Sequence, residues 1–400
     1  MKPLKTMYKA DLSAADQCVM CGMCQPHCPT YRTEQTETES PRGRLSVILG
    51  LAQSQLQADS SIITHLNHCT GCGACEAMCP SRVPFMQLID NCKQLLPRKN
   101  LVLNVILQLV RQPGRYGILR SLLKNRQLGY LLRLCRLLPG DSKYLQKTIQ
   151  LSPGKLPLAD FYAASGDTQG NVGLFIGCIT QLFDKTTLQD SLLLLTRSGY
   201  NVHILRQQVC CGALHQHNGD IDTARLLLKQ NQQLFESAAL DAVIFTATGC
   251  GAQLASHLKS INAVDIMQFI RQSALLTKLE LQPLTAKVLV HEPCSQRNQL
   301  KLPAITDLIC QIPGLTINNM IENQFCCGGG GINMLTVANS ANKLRTHKLT
   351  DIESRLPDTV VTTNYGCALH LASGTQSLDL NKEIEFCHPV SLLVRSASLK

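Results

Sequence analysis

The spacing of apolar residues changes near residue 165 of this 400-residue chain, from helical periods to short strands that alternate with helices. Between residues 40 and 52, four apolar residues follow the i, i+3, i+4, i+7 pattern of one buried helix face: Leu45, Ile48, Leu49 and Ala52. Ser40 suits the N-cap of this helix and Pro41 its first turn. A second short helix is predicted over residues 62–67. A third apolar stripe consists of Val102, Val105, Ile106 and Leu109.

A polar linker containing Gly and Pro, from Ser152 to Gly170, precedes a pattern that is typical of an α/β fold. The predicted strands are residues 172–177, 202–205, 243–246, 288–291 and 360–363. The predicted helices include residues 188–197, 221–235, 304–311 and 338–354. A chain of this length is expected to form two to four domains.

Composition narrows the class of protein. Hydrophobic residues make up 44% of the chain and charged residues 16%, as in folded soluble proteins. The N-terminus lacks the apolar core of a signal peptide, and no window reaches the roughly 18 apolar residues of a membrane span. The 20 cysteines therefore indicate metal-bound thiolates in a reducing cytosol rather than disulfides.

One basic segment accounts for the net charge of +10. Between Asn91 and Gly140 there is no acidic residue, and there are ten basic ones: Lys93, Arg98, Lys99, Arg111, Arg115, Arg120, Lys124, Arg126, Arg133 and Arg136. Such a stretch can contact an anionic membrane or an acidic partner, or it can be an ordinary solvated helix face. No nucleic acid is expected as a partner, because aromatic residues are scarce here.

Two cysteine runs carry the clearest chemistry. Both read C-x2-C-x2-C-x3-C-P, the spacing with which bacterial ferredoxins hold [4Fe–4S] clusters. Three cysteines of a run bind one cluster, and the fourth typically completes the other cluster. We therefore assign Cys18, Cys21, Cys24 and Cys79 to cluster 1, and Cys69, Cys72, Cys75 and Cys28 to cluster 2. Zinc is the alternative, but it usually takes two separated C-x2-C pairs.

The later cysteines form two sets in register, which indicates duplicated domains. The first thiol set is Cys178, Cys210, Cys211 and Cys250, and the second thiol set is Cys294, Cys326, Cys327 and Cys367. Matching members are 116 residues apart (294 − 178 = 116), or 117 for the last pair (367 − 250 = 117). Most follow a predicted strand, where open α/β sheets gather ligands, so both sets are candidate metal or redox sites. Packing of buried thiols is the alternative.

Four further cysteines have no motif partners and are predicted to be buried apolar residues: Cys92, Cys135, Cys310 and Cys387.

Together these features resemble the iron–sulfur subunit of glycolate oxidase. The resemblance is carried by the ferredoxin-type runs, Ser40-Pro41-Arg42-Gly43-Arg44 between them, the paired Cys-Cys-Gly motifs, Gly249-Cys250-Gly251-Ala252, and the run from Gly366 to Ser373. It implies a multidomain protein of four parts. These are an α-helical ferredoxin domain with two [4Fe–4S] clusters over 1–94, a basic helical segment and linker over 95–165, and two duplicated Cys-Cys-Gly α/β domains over 166–280 and 281–400.

The resemblance also implies a function. Such subunits pass electrons from FAD-containing glycolate oxidase subunits, which oxidise glycolate to glyoxylate, to a membrane acceptor such as quinone. The location implied is cytoplasmic, peripheral on the cytoplasmic face of the inner membrane. The chain has no G-x-G-x-x-G fingerprint, and its four glycines from Gly328 to Gly331 follow a cysteine pair, so we interpret them as a cluster loop or helix entry. Substrate chemistry is therefore expected on another chain, and no residue here is assigned a catalytic role.

Other functions stay open at this point. One is the iron–sulfur subunit of a D-lactate or glycerol-3-phosphate dehydrogenase, and another is a catalytic subunit similar to heterodisulfide reductase. The Cys-Cys-Gly domains resemble those of heterodisulfide reductases, whose unusual clusters use a fifth Cys in a final C-x2-C. Gln253 stands at that position in the first domain and His370 in the second. His370 and His291 are each either a nitrogen ligand, as imidazole is in some iron–sulfur centres, or a packing residue.

Overall fold

The computed structural model describes residues 11–97, 101–111, 158–273 and 275–397. Its α-helices, in chain order, are α1 Pro29–Glu34, α2 Pro41–Ala52, α3 Ser60–Asn67, α4 Ala74–Ala77, α5 Phe85–Leu95, α6 Leu101–Val110, α7 Cys178–Phe183, α8 Lys185–Arg197, α9 Ala213–His217, α10 Ile221–Glu236, α11 Thr248–His257, α12 Ile266–Gln272, α13 Leu275–Lys278, α14 Thr306–Ile309, α15 Asn333–Thr336, α16 Ala338–Arg355, α17 Tyr365–Thr375 and α18 Pro389–Ser396. Its strands are β1 Phe161–Tyr162, β2 Gly170–Phe175, β3 Tyr200–His203, β4 Ala242–Phe245, β5 Ala263–Asp265, β6 Ala286–Val290, β7 Leu315–Asn319, β8 Thr359–Val361 and β9 Glu385–Cys387. Most of the basic segment, including Cys135, lies outside the described residues.

Both ferredoxin-type runs lie in short helices and loops around one apolar core. Helix α2 begins where the sequence predicts, because the Ser40 hydroxyl accepts a hydrogen bond from the Gly43 amide at 2.9 Å. Leu45 and Ile48 of this helix pack against Leu88 and Ile89 of α5. No β-strand occurs among the described residues before β1, so this part is helical as predicted.

Two parallel sheets follow, and they repeat one another. The first sheet has the strand order β1-β3-β2-β4-β5 and the second β7-β6-β8-β9. Every pairing is parallel except that of the short edge strand β1 with β3. The order β3-β2-β4-β5 in one sheet matches β7-β6-β8-β9 in the other, as expected for a duplicated domain. The predicted mixed architecture, with a helical ferredoxin-type part before two α/β parts, is therefore present, whereas the exact domain boundaries stay predictions.

The two sheets share a hydrophobic core. Apolar residues of β2 and β4, such as Val172 and Ile244, belong to the same buried cluster as Val288 and Val290 of β6. Helices α8 and α18 pack together, and the Ser391 hydroxyl donates a hydrogen bond to Asp190 at 2.5 Å. The carboxyl ends of the parallel strands in each sheet lead into the loops and helix starts that carry the thiol sets.

Helix α6 is present, and two residues of its predicted apolar stripe, Ile106 and Leu109, are half-buried against the core of the first α/β part. Val105 is 49% exposed, whereas Leu103, Leu107 and Val110 are buried. Nearly every residue of α6 is apolar, so periodicity alone did not select a face. The orientation is set by tertiary packing, because Leu103 and Leu107 pack on Ile332, far along the chain.

The cysteines without motif partners do not share one environment. Cys92 is buried in the ferredoxin-type core, as predicted. Cys387 in β9 is only half-buried, and Cys310, which was predicted to be buried, is exposed. Cys310 caps the short helix α14 on its solvent side, where its thiol donates to the Asp307 carbonyl at 3.5 Å. Among the described residues no helix is long and apolar enough to cross a membrane.

Candidate metal centres

The structure gathers the eight ferredoxin-type cysteines around two separate cavities. The first is lined by Cys18, Cys21, Cys24 and Cys79, and Cys75 also reaches its wall. The second is lined by Cys28, Cys69, Cys72 and Cys75. Each group of four mixes three cysteines of one run with the last cysteine of the other, which is the donor set that a [4Fe–4S] cluster takes.

Burial keeps several of these thiols protonated in the metal-free chain. It raises the pKa of Cys24 to about 11 and that of Cys72 to about 12. Burial also raises the pKa of Cys75 well above its ordinary value. Such thiols become ligands only when a metal displaces the proton, so buried thiols of this kind fit a resident metal group better than a free reactive cysteine.

The first cavity lies at the protein surface. Cys21 is exposed, and four apolar side chains around it are exposed as well: Val19, Met20, Met23 and Met78. The Arg42 guanidinium holds this loop by donating to the Met20 carbonyl at 3.2 Å. An apolar rim around an exposed ligand is a surface that a partner protein can cover.

The second cavity is covered by the second Cys-Cys-Gly domain. Asn298 donates to the Cys72 carbonyl at 2.9 Å and Asn333 donates to the Cys69 carbonyl at 3.1 Å. Gly330 lies so close that a Cβ added there would be 2.1 Å from the Thr70 carbonyl oxygen. The loop from Cys69 to Gly73 is therefore packed against the domain that carries the second thiol set.

A buried charge network supports the same loop. The Glu39 carboxylate pairs with the Arg44 guanidinium at 2.5 Å and with ring nitrogens of His65 and His68 at 2.6 and 2.8 Å. Arg44 also donates to the Glu39 carbonyl, at 2.7 Å, which lies 3.6 Å from the Cys28 sulfur. Burial opposes ionisation of Glu39, but hydrogen bonds from the histidines and the charge of Arg44 outweigh it and hold the pKa below its ordinary value.

The structure brings the first thiol set together. The sulfurs of Cys178 and Cys210 are 3.5 Å apart, and the Gly212 amide donates to Cys210 at 3.5 Å. The hydrogen bond from Cys178 lowers the pKa of Cys210, while the same bond raises that of Cys178. The two sulfurs therefore form one close thiol pair, in which either atom can be the hydrogen-bond donor.

The second thiol set divides into two groups. Cys294 and Cys326 have sulfurs 4.0 Å apart and lie in one buried cluster with Cys72 of the ferredoxin-type part. Cys327 and Cys367 instead lie with His291, and the ligand atoms of these three buried residues are all within 4.8 Å of one another. One group of the set thus contacts Cys72, and the other lies beside an imidazole.

His291 is a buried imidazole in its neutral form. Neither ring nitrogen forms a hydrogen bond of normal geometry within the described part of the chain. The neighbouring amide of Asn323 is engaged by the backbone of Glu292 and Val290. Burial, followed by the charges of Lys348 and Arg297, lowers the pKa of His291 well below its ordinary value. A buried neutral imidazole beside two thiols is a metal-ligand arrangement.

Lys348 distinguishes the second set from the first. Its buried ammonium donates to the Ile321 carbonyl at 3.1 Å and interacts electrostatically with Cys327 and Cys326. Burial lowers the pKa of Lys348 to about 8, whereas the cysteines act in the opposite direction. A buried cation beside thiols favours a negatively charged occupant there.

The sequence named His291 and His370 as candidate nitrogen ligands, and the structure separates them. His370, the candidate ligand, has its Nε2 3.2 Å from the Ala341 carbonyl and lies outside the group of Cys327 and Cys367. Gln253, at the other fifth-cysteine position, donates to Gln216 at 2.8 Å. In the sequence, His291 stands out only for its place three residues before Cys294, and a buried histidine directly after a strand is the signal that could have ranked it higher.

Comparisons with known proteins agree with this division of the chain. Residues 14–83 match the 4Fe-4S dicluster domain, and residues 172–255 and 288–372 each match the Cysteine-rich domain. The probable glycolate oxidase iron-sulfur subunit of Bacillus subtilis (strain 168) is 27% identical and covers 100% of this chain and 98% of its own length. The glycolate oxidase iron-sulfur subunit of Escherichia coli (strain K12) is also 27% identical, over 89% of each chain.

The chain is similar to these glycolate oxidase iron–sulfur subunits along most of its length. It is accordingly an electron-transfer subunit of an oxidoreductase, and the prediction of iron–sulfur clusters in the dicluster domain is confirmed. A more distant relative is a subunit of the dihydromethanophenazine:CoB--CoM heterodisulfide reductase of Methanosarcina acetivorans, 21% identical over 95% of this chain and 94% of its own. Iron–sulfur subunits of this kind work in multisubunit complexes, so partner subunits are implied.

Proposed function

We propose that this chain carries electrons from an FAD-containing subunit that oxidises glycolate to glyoxylate toward a quinone. The observation that supports it best is the pairing of two four-cysteine cavities, one exposed and one covered by the second Cys-Cys-Gly domain. When bound in them, two [4Fe–4S] clusters supply one-electron transfer. Cys18, Cys21, Cys24 and Cys79 would hold the first, and Cys69, Cys72, Cys75 and Cys28 the second.

The flavin partner is expected to dock over the first cavity. Electron transfer between subunits needs close approach, and Cys21 with its rim of Val19, Met23 and Met78 is the exposed end of the pair. The other end is buried under Asn298 and its neighbours. Because a quinone is dissolved in the lipid, the complex is expected to be peripheral on the cytoplasmic face of the membrane.

The substrate is tested by isolating the chain anaerobically with its partners from its own host. Cluster reduction is followed by electron paramagnetic resonance after separate additions of glycolate, D-lactate and glycerol-3-phosphate. Fastest reduction by glycolate supports the proposal, and faster reduction by either of the others replaces glycolate with that substrate. If dithionite reduces the clusters and none of the three does, the chain serves another donor.

The electron-transfer role is tested by Cys21→Ser and Cys72→Ser in the intact complex. Both variants should abolish quinone reduction driven by the substrate, while the flavin subunit still reduces a soluble dye. Cys310→Ser is the matched control, because Cys310 is exposed and far from both cavities. Loss of dye reduction in an intact complex would contradict a role confined to electron transfer.

We also infer that the second thiol set binds metal, with Cys327, Cys367 and His291 among its ligands. The support is the mutual approach of their ligand atoms, within 4.8 Å, and the buried charge of Lys348 beside them. Metal analysis of the isolated complex should show less metal per chain in His291→Ala than in the wild type. His203→Ala, which removes a histidine at the end of β3, should retain the full amount, and equal metal content in both variants would contradict the assignment.

A further inference from the structure

Three parts of the chain meet around a third cavity, of about 250 Å³. Its wall includes Thr70 and Gly71 of the second ferredoxin-type run. It also includes six cysteines of the two thiol sets, so the cavity borders both candidate metal sites: Cys178, Cys211, Cys250, Cys294, Cys326 and Cys367. It is distinct from the two cavities lined by the ferredoxin-type cysteines. We call it the central cavity, and it lies beside the covered end of the proposed electron route.

The rest of this wall is mainly apolar. Ile106, Leu107 and Val110 of α6 line it, together with Ile332, which precedes α15, and Leu335, which lies within α15. No lysine, arginine, aspartate or glutamate is among the described residues of the lining. A carboxylate such as glycolate would therefore have no cationic partner there, whereas an uncharged apolar ring would be well accommodated.

The size of the central cavity limits the ligand further. Ligand pockets usually measure roughly 300–1,000 Å³, and the central cavity is slightly smaller. It therefore suits a single ring system with a few polar contacts better than a dinucleotide. Ser295, Gln299 and Asn364 supply hydrogen-bonding groups within the lining.

His217 links this cavity to a polar one. It lines the central cavity and also a second space of about 220 Å³, whose wall includes Asn67, Lys93 and Asn218. The imidazole lies between two glycines: a Cβ added at Gly71 would be 3.8 Å from its Nδ1, and one at Gly331 would be 3.6 Å from its Cδ2.

Acidic and basic groups from the ferredoxin-type part surround this histidine. Its Nδ1 lies 3.5 Å from a carboxylate oxygen of Asp90, and the other oxygen of Asp90 accepts from Gln216 at 3.0 Å. Lys93 donates to the His217 carbonyl at 3.4 Å. A carboxylate that contacts one ring nitrogen orients the imidazole.

We propose that the central cavity binds a quinone ring and that His217, supported by Asp90, delivers protons to it. This inference rests on the proposed electron-transfer function. Reduction of a quinone to a quinol consumes two electrons and two protons, and each C=O group becomes C–O–H. The electrons come from substrate oxidation on the flavin partner. The protons leave the imidazole, which recovers them from water through the polar cavity.

The experiment uses the complete complex with decylubiquinone as acceptor. The clusters are first reduced with glycolate, or with dithionite that is then removed by anaerobic gel filtration, so that the electrons reach the quinone from the chain and not from free dithionite. His217→Gln is expected to slow quinone reduction about 100-fold, in line with the contribution of a general acid. Reduction of ferricyanide, which takes up no proton, should stay unchanged. His203→Gln is the matched control. Equal quinone rates in His217→Gln and the wild type would overturn the proton-delivery role.

Binding is tested separately by photolabelling the complex with an azidoquinone and mapping the labelled peptides. Label in α6 or in residues 329–335 supports the cavity, and label confined to other segments overturns it. Leu335→Phe, which fills the cavity from a half-buried position, should raise the decylubiquinone KM about tenfold, whereas Ile321→Phe at an exposed position should not.

The two proposals can fail independently. If the complex reduces the quinone after reduction with dithionite and removal of the excess, and glycolate does not reduce the chain, the glycolate assignment fails and the cavity assignment stands. If glycolate reduces the clusters but the azidoquinone labels only segments outside the central cavity, the cavity assignment fails and the proposed electron-transfer function stands.

Discussion

Replacement of Arg44 by methionine should strongly destabilise the region around the second ferredoxin-type loop. Arg44 is 1% exposed and its partner Glu39 is 2% exposed, so the substitution leaves a carboxylate buried without its cation. Breaking a buried pair in this way costs about 3–5 kcal/mol. The guanidinium also bonds the Thr30 hydroxyl at 3.0 Å and the His65 carbonyl at 2.9 Å, and the variant leaves these groups without it.

The assay is the rate at which the clusters are lost from the anaerobic complex in urea with an excess of chelator. A multidomain protein does not unfold in two states, so a local rate is a better measure than a global free energy. If this region must unfold locally before a cluster is lost, a destabilisation of about 3 kcal/mol corresponds to a roughly 100-fold faster decay of the cluster absorption. The double variant Arg44→Met with Glu39→Gln should recover much of the lost stability, and so slow the decay again, because no buried charge is left unpaired.

Arg42→Met is the matched control. Arg42 pairs with Glu37 at 2.7 Å, but both side chains are partly exposed, so the pair is worth at most about 1 kcal/mol. Equal acceleration in Arg42→Met and Arg44→Met would refute the argument from burial. The pKa of Glu39 is lowered in the fold, so its contribution is present above about pH 4.3 and is lost as the pH falls through the folded value.

Three further predictions concern other contacts. Gly330→Ala should separate the second Cys-Cys-Gly domain from Thr70, because its Cβ would lie 2.1 Å from that carbonyl oxygen, and it should slow quinone reduction at least tenfold. Gln253→Leu should cost about 1 kcal/mol in urea unfolding, since it removes the hydrogen bond to Gln216. Burial lowers the pKa of His388 to about 3, so stability should fall between pH 6.5 and 3, by at most about 5 kcal/mol, and His388→Asn should flatten that dependence.

Each of these predictions has a result that would contradict it. A wild-type rate of quinone reduction in Gly330→Ala would show that the contact with Thr70 does not matter. An unchanged midpoint in Gln253→Leu would mean that the hydrogen bond contributes nothing. A pH profile that His388→Asn leaves unaltered would move the acid sensitivity to another group.

The local sequence pattern predicted the central strands of the two sheets and missed their edge strands. Strands β2, β3, β4, β6 and β8 were placed to within two residues, because each is a short apolar run. The edge strands β1, β5, β7 and β9 were not predicted. Strand β7 alternates half-buried and exposed residues, and β1 has only two residues, so neither gives a continuous apolar signal.

The candidate site divides in the same way. Fixed spacing of cysteines predicts the ferredoxin-type groups, because all their ligands come from two short loops. Contacts between distant residues carry no such pattern: Asp90 and His217 are 127 positions apart, and they meet only because α5 packs near α9. His291 was a candidate ligand from its place before Cys294, but its approach to Cys327 and Cys367 becomes visible only in the folded structure.

The duplicated domains differ in the buried residues beside their thiol sets, and the second domain carries the additional positive charge. With the offsets of 116 and 117, His291 corresponds to Phe175 (291 − 116 = 175) and Lys348 to Asn231 (348 − 117 = 231). Asn231 is buried like Lys348, but it is neutral and bonds the carbonyls of Val209 and Cys210. The second domain donates hydrogen bonds from Asn298 and Asn333 to the Cys69–Gly73 loop, and its Cys326 lies in the same buried cluster as Cys72. A site beside an electron donor must hold added negative charge, and a buried lysine lowers the free energy of doing so. Exchange of the two residues, with Lys348→Asn in one variant and Asn231→Lys in another, should therefore weaken metal retention in the second domain without creating it in the first, because the first lacks the imidazole.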